Sequence, residues 1–157
     1  MQKQARNTLL GIIAIVIGIV AYGLLFGHTR STASEWIAPT QGEQWIQGQQ
    51  IYMMYCASCH GVKLEGQPNW RSRMSNGRLP APPHDVTGHT WHHPDWQLIG
   101  MIRDGLVPGV TAPARYESDM PGFGKILNDD QMRLVLGYIK SYWPEDILKA
   151  QREISLK

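Results

Sequence analysis

The residues with the clearest chemical potential are Cys56, Cys59 and His60, which stand together as Cys56-Ala57-Ser58-Cys59-His60. Two thiols three positions apart share one side of a helical turn, so they can reach the two vinyl groups of one haem and form thioether bonds. The adjacent imidazole can then coordinate the haem iron. This C-x-x-C-H spacing predicts one covalently attached haem c, with His60 as an axial ligand of the iron.

Two other chemistries use paired cysteines, and each needs further features of the chain. A thioredoxin-like redox pair requires a βαβ pattern, which the sequence lacks. A structural zinc site requires four ligands, so the histidine-rich stretch 84–93 would have to supply a second pair. The glycine that follows the motif, a methionine far downstream and the predicted export of the domain all favour haem.

The second axial ligand is expected to be Met120, in Asp119-Met120-Pro121-Gly122-Phe123-Gly124. Proline and glycine fix the course of a loop, so that a thioether can be held against an iron. Met74 is the second choice, and a histidine from residues 84–93 is a further alternative. Imidazole plus thioether ligation raises the reduction potential and is typical of electron transfer. The methionines on predicted helices are assigned to core packing: Met53, Met54, Met101 and Met132.

The first part of the chain predicts a membrane anchor. Residues 9–27 contain no charge, and about 20 apolar residues are enough for a helix to cross a bilayer. Lys3 and Arg6 precede this stretch, so the positive-inside rule places the N-terminus in the cytoplasm. A cleaved signal peptide is the alternative, but its apolar region is usually only about 7–15 residues long. We therefore predict that residues 1–27 anchor the chain in a bacterial plasma (inner) membrane and that the haem domain is periplasmic.

Composition excludes several classes of protein. The chain of 157 residues has a formal net charge of +2 and only two cysteines. Residues 28–157 carry equal numbers of basic and acidic side chains, without a basic stripe of the kind that binds nucleic acid. Two cysteines also exclude a disulfide-rich scaffold. The exported part is long enough for one compact domain with its own core.

Helical periodicity and loop punctuation predict an all-α domain. Residues 28–41 form a linker, and helices run from Gly42 into Cys56, over 94–104 and over 128–143. Residues 144–157 form a C-terminal extension with a short helix from Glu145 to about Ile154. Asn128 and Gln131 form a capping box, and residues 61–90 are a loop. Two apolar faces are predicted: Trp45, Ile46, Gln49, Tyr52 and Met53 on the first helix, and Met132, Val135, Leu136, Ile139, Tyr142 and Trp143 on the third.

Residues 42–143 resemble a class I cytochrome c domain of the bacterial type, with one haem. The matching pieces are Gly48 and Tyr52, CASCHG at 56–61, LPAPPHD at 79–85, MPGF at 120–123 and LNDDQMRLVLGYIKSYWP at 127–144.

The resemblance implies an all-α fold in which the first and last helices of this region cross near Gly48, with Tyr52 and Tyr138 close to the crossing. It also implies that the carbonyl of Pro82 or Pro83 accepts a hydrogen bond from His60. One further implication concerns the haem propionates, which would meet one of four side chains: Trp91, Arg71, Arg73 or Arg78.

The stretch Gly88-His89-Thr90-Trp91-His92-His93, with His84 before it, departs from the plainest form of that family. Three interpretations stay open. His89 and its neighbours can cap the haem edge, they can be surface imidazoles at a helix start, or they can bind copper or zinc.

The expected function is transfer of single electrons between membrane redox complexes of a respiratory or photosynthetic chain, without enzymatic turnover. The donor would resemble a quinol-oxidising complex, and the acceptor a terminal oxidase, a reductase or a photosynthetic centre. A fixed haem subunit of a larger membrane oxidoreductase is the first alternative. A haem peroxidase or gas sensor is the second, and it would need an open or displaceable axial site.

Overall fold

A computed structural model describes residues 36–157 of the chain. Its helices are α1 (Gly42–Tyr55), α2 (Ala57–His60), a 3₁₀ turn (Thr90–His92), α3 (Asp95–Asp104), α4 (Asp129–Lys140) and α5 (Glu145–Ser155). The described range contains no strand, only an isolated bridge between Pro108 and Ala112. The predicted all-α fold is thus confirmed for this part of the chain.

The predicted membrane anchor at 9–27 falls outside the described residues. Between residues 36 and 157, no helix has the length and apolar character needed to cross a membrane.

Helix α4 begins as its sequence predicts. The side chain of Asn128 accepts a hydrogen bond from the Gln131 N–H at 2.9 Å, and the Gln131 side chain accepts one from the Asn128 N–H at 3.0 Å. This capping box satisfies two N–H groups that a helix start leaves without partners. The helix ends at Lys140, earlier than the predicted 143, and the N–H groups of Tyr142 and Trp143 donate to carbonyls three residues back, in a tighter turn that leads into Pro144. Tyr142 was expected on the apolar stripe but is 46% exposed, and its ring packs against the edge of that stripe at Tyr138.

Helices α1 and α4 cross at Gly48, as the resemblance implies. A Cβ atom on Gly48 would lie 2.5 Å from the Leu134 carbonyl oxygen and 2.7 Å from the Tyr138 Cβ. The buried rings of Tyr52 and Tyr138 pack beside this contact, with centroids 5.4 Å apart. The backbones of the two helices are therefore in direct contact at Gly48, and the core cluster that contains Tyr52 and Tyr138 lies beside this contact.

The predicted apolar face of α1 is wrong at two positions. Ile46 and Met53 are 44% and 47% exposed, whereas Gly48 and Tyr52 are buried. The reason is that close backbone approach at a glycine, rather than the densest apolar stripe, decides which side of α1 meets α4.

Lys140 and Asp95 form a buried ion pair that connects residues near both ends of the described chain. The Lys140 ammonium lies 2.6 Å from an Asp95 carboxylate oxygen and donates to the Ile37 carbonyl at 2.9 Å and to Gln151 at 2.9 Å. The Lys140 side chain is fully buried. Residues 36–40, the end of the predicted linker, are thereby bound to α3, α4 and α5; Ile37 is only 6% exposed.

Candidate functional site

The cysteine motif sits at the junction of α1 and α2. Cys56 is the single residue between α1 and α2. Its N–H donates to the Tyr52 carbonyl at 2.8 Å. The N–H groups of Cys59 and His60 both donate to the Cys56 carbonyl, at 3.1 and 2.9 Å. One helical turn therefore carries both cysteines and the histidine, which is the arrangement that the spacing predicts.

Both cysteine side chains are free thiols; Cys56 is half-buried and Cys59 is exposed. Burial, with a smaller contribution from neighbouring Cys59, raises the pKa of the Cys56 thiol to about 12. Cys56 is thus a neutral S–H group at physiological pH, not the activated thiolate of a redox pair. In the described range, no group of three or more His, Cys, Asp or Glu side chains is placed to hold a metal ion.

Of the two ring nitrogens of His60, Nδ1 is hydrogen-bonded, whereas Nε2 has no hydrogen-bond partner among residues 36–157. Its Nδ1 lies 2.8 Å from the Pro82 carbonyl oxygen, so this nitrogen carries the proton and donates it. Burial lowers the pKa of His60, and the hydrogen bond to Pro82 opposes that shift. The neutral imidazole therefore presents the lone pair of Nε2, as an iron ligand must.

The loop that carries Pro82 is itself held tightly. The Gln67 N–H donates to the Ala81 carbonyl, and the Gln67 side chain accepts from the Ala81 N–H, both at 2.9 Å. Gly66 lies against the loop so closely that a Cβ there would be 2.5 Å from the Pro83 nitrogen. Of the two prolines considered, Pro82 contacts His60, while the Pro83 carbonyl accepts from the Thr90 hydroxyl at 3.4 Å.

Met120 lies in a loop that packs on the C-terminal end of α3. The N–H groups of Phe123 and Gly124 donate to the Ile102 and Arg103 carbonyls at 2.9 Å, satisfying carbonyls that a helix end leaves free. The Phe123 ring meets the ring of Tyr55, the residue before Cys56, at a centroid distance of 6.0 Å. The Met120 loop is thus docked next to the cysteine motif.

Arg78 adds a second attachment for this loop. Its guanidinium forms ion pairs with Asp119 and, at 3.7 Å, with Glu117. Arg78 was one of the side chains considered for a haem propionate, but in this structure it is paired with the residues just before Met120. Met74, the second-choice axial ligand, is 39% exposed and lines an open surface cavity with Arg73 and Pro80.

The remaining haem-edge candidates divide into one buried group and several surface groups. The buried indole N–H of Trp91 has no acceptor among the described residues, and its ring packs against the same core cluster as Cys56. The Arg71 guanidinium lies over the Trp70 ring at 4.1 Å and donates to the Thr87 carbonyl. Arg73 donates to the Gly77 carbonyl, and the exposed His89 stacks on Trp70 with centroids 5.6 Å apart.

The residues present fit a covalently bound haem. Two free thiols lie on one turn, and the imidazole beside them has its Nδ1 fixed. Trp91 offers a buried N–H that needs an acceptor, such as a carboxylate of the haem. These features define an all-α domain with a haem-attachment motif.

Comparison with known proteins gives the family. The family model for Cytochrome c matches residues 46–143, more than half of the chain. The chain belongs to the cytochrome c family, so it carries covalently attached haem c, usually one per domain, and its chemistry is haem-based electron transfer. No curated protein and no solved structure matches the chain.

Two features of the site have no clear signal in the sequence. His84 stacks on His60, although 24 positions separate them and no periodicity connects them. The Lys140–Asp95 pair joins α4 to α3, and a lone lysine near a helix end predicts no buried partner. Only the histidine content of residues 84–93 marked part of this region as unusual.

Proposed function

We propose that this chain is a membrane-anchored monohaem cytochrome c that carries single electrons on the extracytoplasmic side of a bacterial plasma membrane. Cys56 and Cys59 would hold the haem through thioether bonds, and His60 and Met120 would be the protein ligands of its iron. The observation that supports this most strongly is the His60–Pro82 hydrogen bond of 2.8 Å on the turn that carries both free thiols.

When bound, the haem supplies a one-electron iron couple; the protein residues set its position and environment. Pro82 keeps the proton on Nδ1 of His60, which fixes the tautomer, orients the ring and raises the basicity of Nε2. Trp91 would donate its buried N–H to a propionate. With His60 and Met120 as its two protein ligands, the iron would have no free position for a substrate, and the haem would support outer-sphere electron transfer.

The proposed anchor at 9–27 confines the carrier to the membrane surface. Tethering raises the effective concentration of the domain near membrane-bound donors and acceptors. The partners are redox proteins of a respiratory or photosynthetic chain, and the proposal rests here on the charge-free stretch of the sequence and on the lysine and arginine that precede it.

Variants of the axial methionines test the ligand assignment. The full chain is produced in cells that mature c-type cytochromes, and Met120→Ala is compared with Met74→Ala. Met120→Ala is expected to lower the reduction potential and to let carbon monoxide bind the ferrous iron, whereas Met74→Ala leaves both unchanged. The reverse pattern would transfer the axial role to Met74.

Variants of the cysteines test the attachment. Cys56→Ala and Cys59→Ala are each expected to weaken covalent haem retention, and the double variant to abolish it. Haem that stays attached to the denatured double variant would contradict the proposal.

A further inference from the structure

The His84 ring lies face to face with the ring of His60. Their centroids are 3.9 Å apart and the planes differ by 22°. Contact over a whole ring face at this distance is close packing, so His60 cannot tilt toward that side without displacing His84.

The His84 ring is held from several directions. Its Nδ1 lies 2.8 Å from the Thr90 hydroxyl oxygen, and that hydroxyl donates onward to the Pro83 carbonyl at 3.4 Å. With the Thr90 proton directed at Pro83, His84 is the donor in the first of these bonds. Thr90 itself is buried.

The backbone of His84 is fixed as well. Its N–H donates to the Leu64 carbonyl at 2.8 Å, and its carbonyl accepts from the indole N–H of Trp143 at 2.8 Å. Leu64 and Trp143 both belong to the central core cluster. The position of the His84 ring beside His60 is therefore fixed by two sets of contacts. Backbone hydrogen bonds connect it to the core, and the Thr90 hydroxyl connects it to Pro83.

We propose that His84 is a positioning residue for His60: its ring sets the rotation of the axial imidazole plane, and thereby the electronic state of the haem iron. The proposal rests on the proposed function, in which His60 is an iron ligand. Pro82 fixes one ring nitrogen of His60, but a single hydrogen bond tolerates a broad range of angles. The stacked His84 ring removes most of the orientations that the Pro82 hydrogen bond alone would allow the His60 ring.

The consequence for the iron follows from general ligand-field chemistry. The orientation of an axial imidazole relative to the pyrrole nitrogens determines how the iron d orbitals split, which the ferric electron paramagnetic resonance (EPR) signal reports. Groups around an iron ligand also tune its potential. The electron-rich face of an aromatic ring against the imidazole favours the more positive ferric state, so losing the stack raises the reduction potential.

The test uses the full, haem-loaded chain and two replacements that separate the ring from its hydrogen bond. His84→Asn keeps a polar group near the Thr90 hydroxyl but removes the ring; His84→Phe keeps a ring but loses the hydrogen bond. His93→Asn is the matched control, because the His93 ring contacts Gln97 and His89 rather than His60 or Trp91. The readouts are the ferric EPR g values, the reduction potential and the haem content.

His84→Asn is expected to shift the g values and raise the potential at unchanged haem content, while His84→Phe stays nearer the parent and His93→Asn matches it. Parent g values and potential in His84→Asn would overturn the proposal. So would an equal shift in His93→Asn.

If His84→Asn fails to assemble with haem, Thr90→Val decides the question. This variant keeps the His84 ring and releases its hydrogen bond, so the ring samples more tilts and the ferric EPR signal broadens. An unchanged line width would refute the positioning role. Failure of the proposed function looks different: the unmodified protein would then lack a low-spin signal with imidazole ligation.

Discussion

Replacing Gly105 by alanine perturbs the Met120 loop without touching the methionine. Gly105 ends α3 with φ +76° and ψ −168°, a combination that essentially only glycine adopts. A Cβ atom there would lie 2.7 Å from the Met120 carbonyl oxygen and 3.0 Å from the Gly122 nitrogen. Both contacts are with backbone, so the Met120 loop has to move away from α3.

The magnitude follows from those distances. Ordinary contact begins at 3.4 Å, so the Met120 carbonyl must shift by about 0.7 Å. Overpacking of this kind costs about 1–3 kcal/mol, and the backbone conformation adds about 1–3 kcal/mol. The free energy of unfolding therefore falls by roughly 2–6 kcal/mol. Gly109→Ala is the control, because Gly109 has φ +77° but open space around it, and its cost is about 1–2 kcal/mol.

The assay combines guanidinium unfolding with two probes of the proposed bond between the iron and the Met120 thioether. These are the near-infrared charge-transfer band of the ferric protein and carbon monoxide binding to the ferrous protein. Gly105→Ala is expected to weaken the band and admit carbon monoxide, whereas Gly109→Ala does neither. If the two variants had equal stability and equally intact ligation, the packing of the Met120 loop on α3 would not control the axial ligand.

Three predictions concern stability and are measured by denaturant unfolding of the haem-loaded protein. Gly48→Ala is expected to lower the free energy of unfolding by about 1–3 kcal/mol, because the added Cβ meets the Leu134 carbonyl. Gly100→Ala is the control: its Cβ makes only an ordinary contact, so it is neutral or stabilising by up to about 1 kcal/mol. Equal effects of the two variants would contradict the close crossing of α1 and α4. Lys140→Met leaves the buried Asp95 carboxylate unpaired and is expected to cost about 3–5 kcal/mol; a loss below about 1 kcal/mol would refute the structural role of the pair. Asn128→Ala removes the capping box of α4 and is expected to cost about 1 kcal/mol, and no measurable loss would mean that the cap does not contribute.

Local signals in the sequence predicted much of the fold. Asn128 and Gln131 marked the start of α4, because a cap acts within one helical turn. The resemblance placed the crossing at Gly48 and the hydrogen bond of His60 on one of two prolines. Each of these features depends on residue types at short, fixed spacings.

Other features depend on contacts between distant segments and could not be predicted. Apolar periodicity placed Ile46 and Met53 on the buried face of α1, but the close approach at Gly48 turns Trp45 and Tyr52 towards the core and leaves those two side chains exposed. The stack of His84 on His60 requires the loop 61–90 to fold back, which no local pattern encodes. The pairing of Arg78 with the Met120 loop is likewise a meeting of two irregular segments.

The most direct test of the central claim is the visible spectrum of the reduced full-length protein, recorded with and without carbon monoxide. One covalently bound haem with His60 and Met120 as axial ligands predicts a low-spin c-type spectrum that carbon monoxide leaves unchanged. A rapid spectral change on adding carbon monoxide would show an open or labile axial site. That result would contradict an electron carrier with both axial positions filled and would favour a haem enzyme or gas sensor.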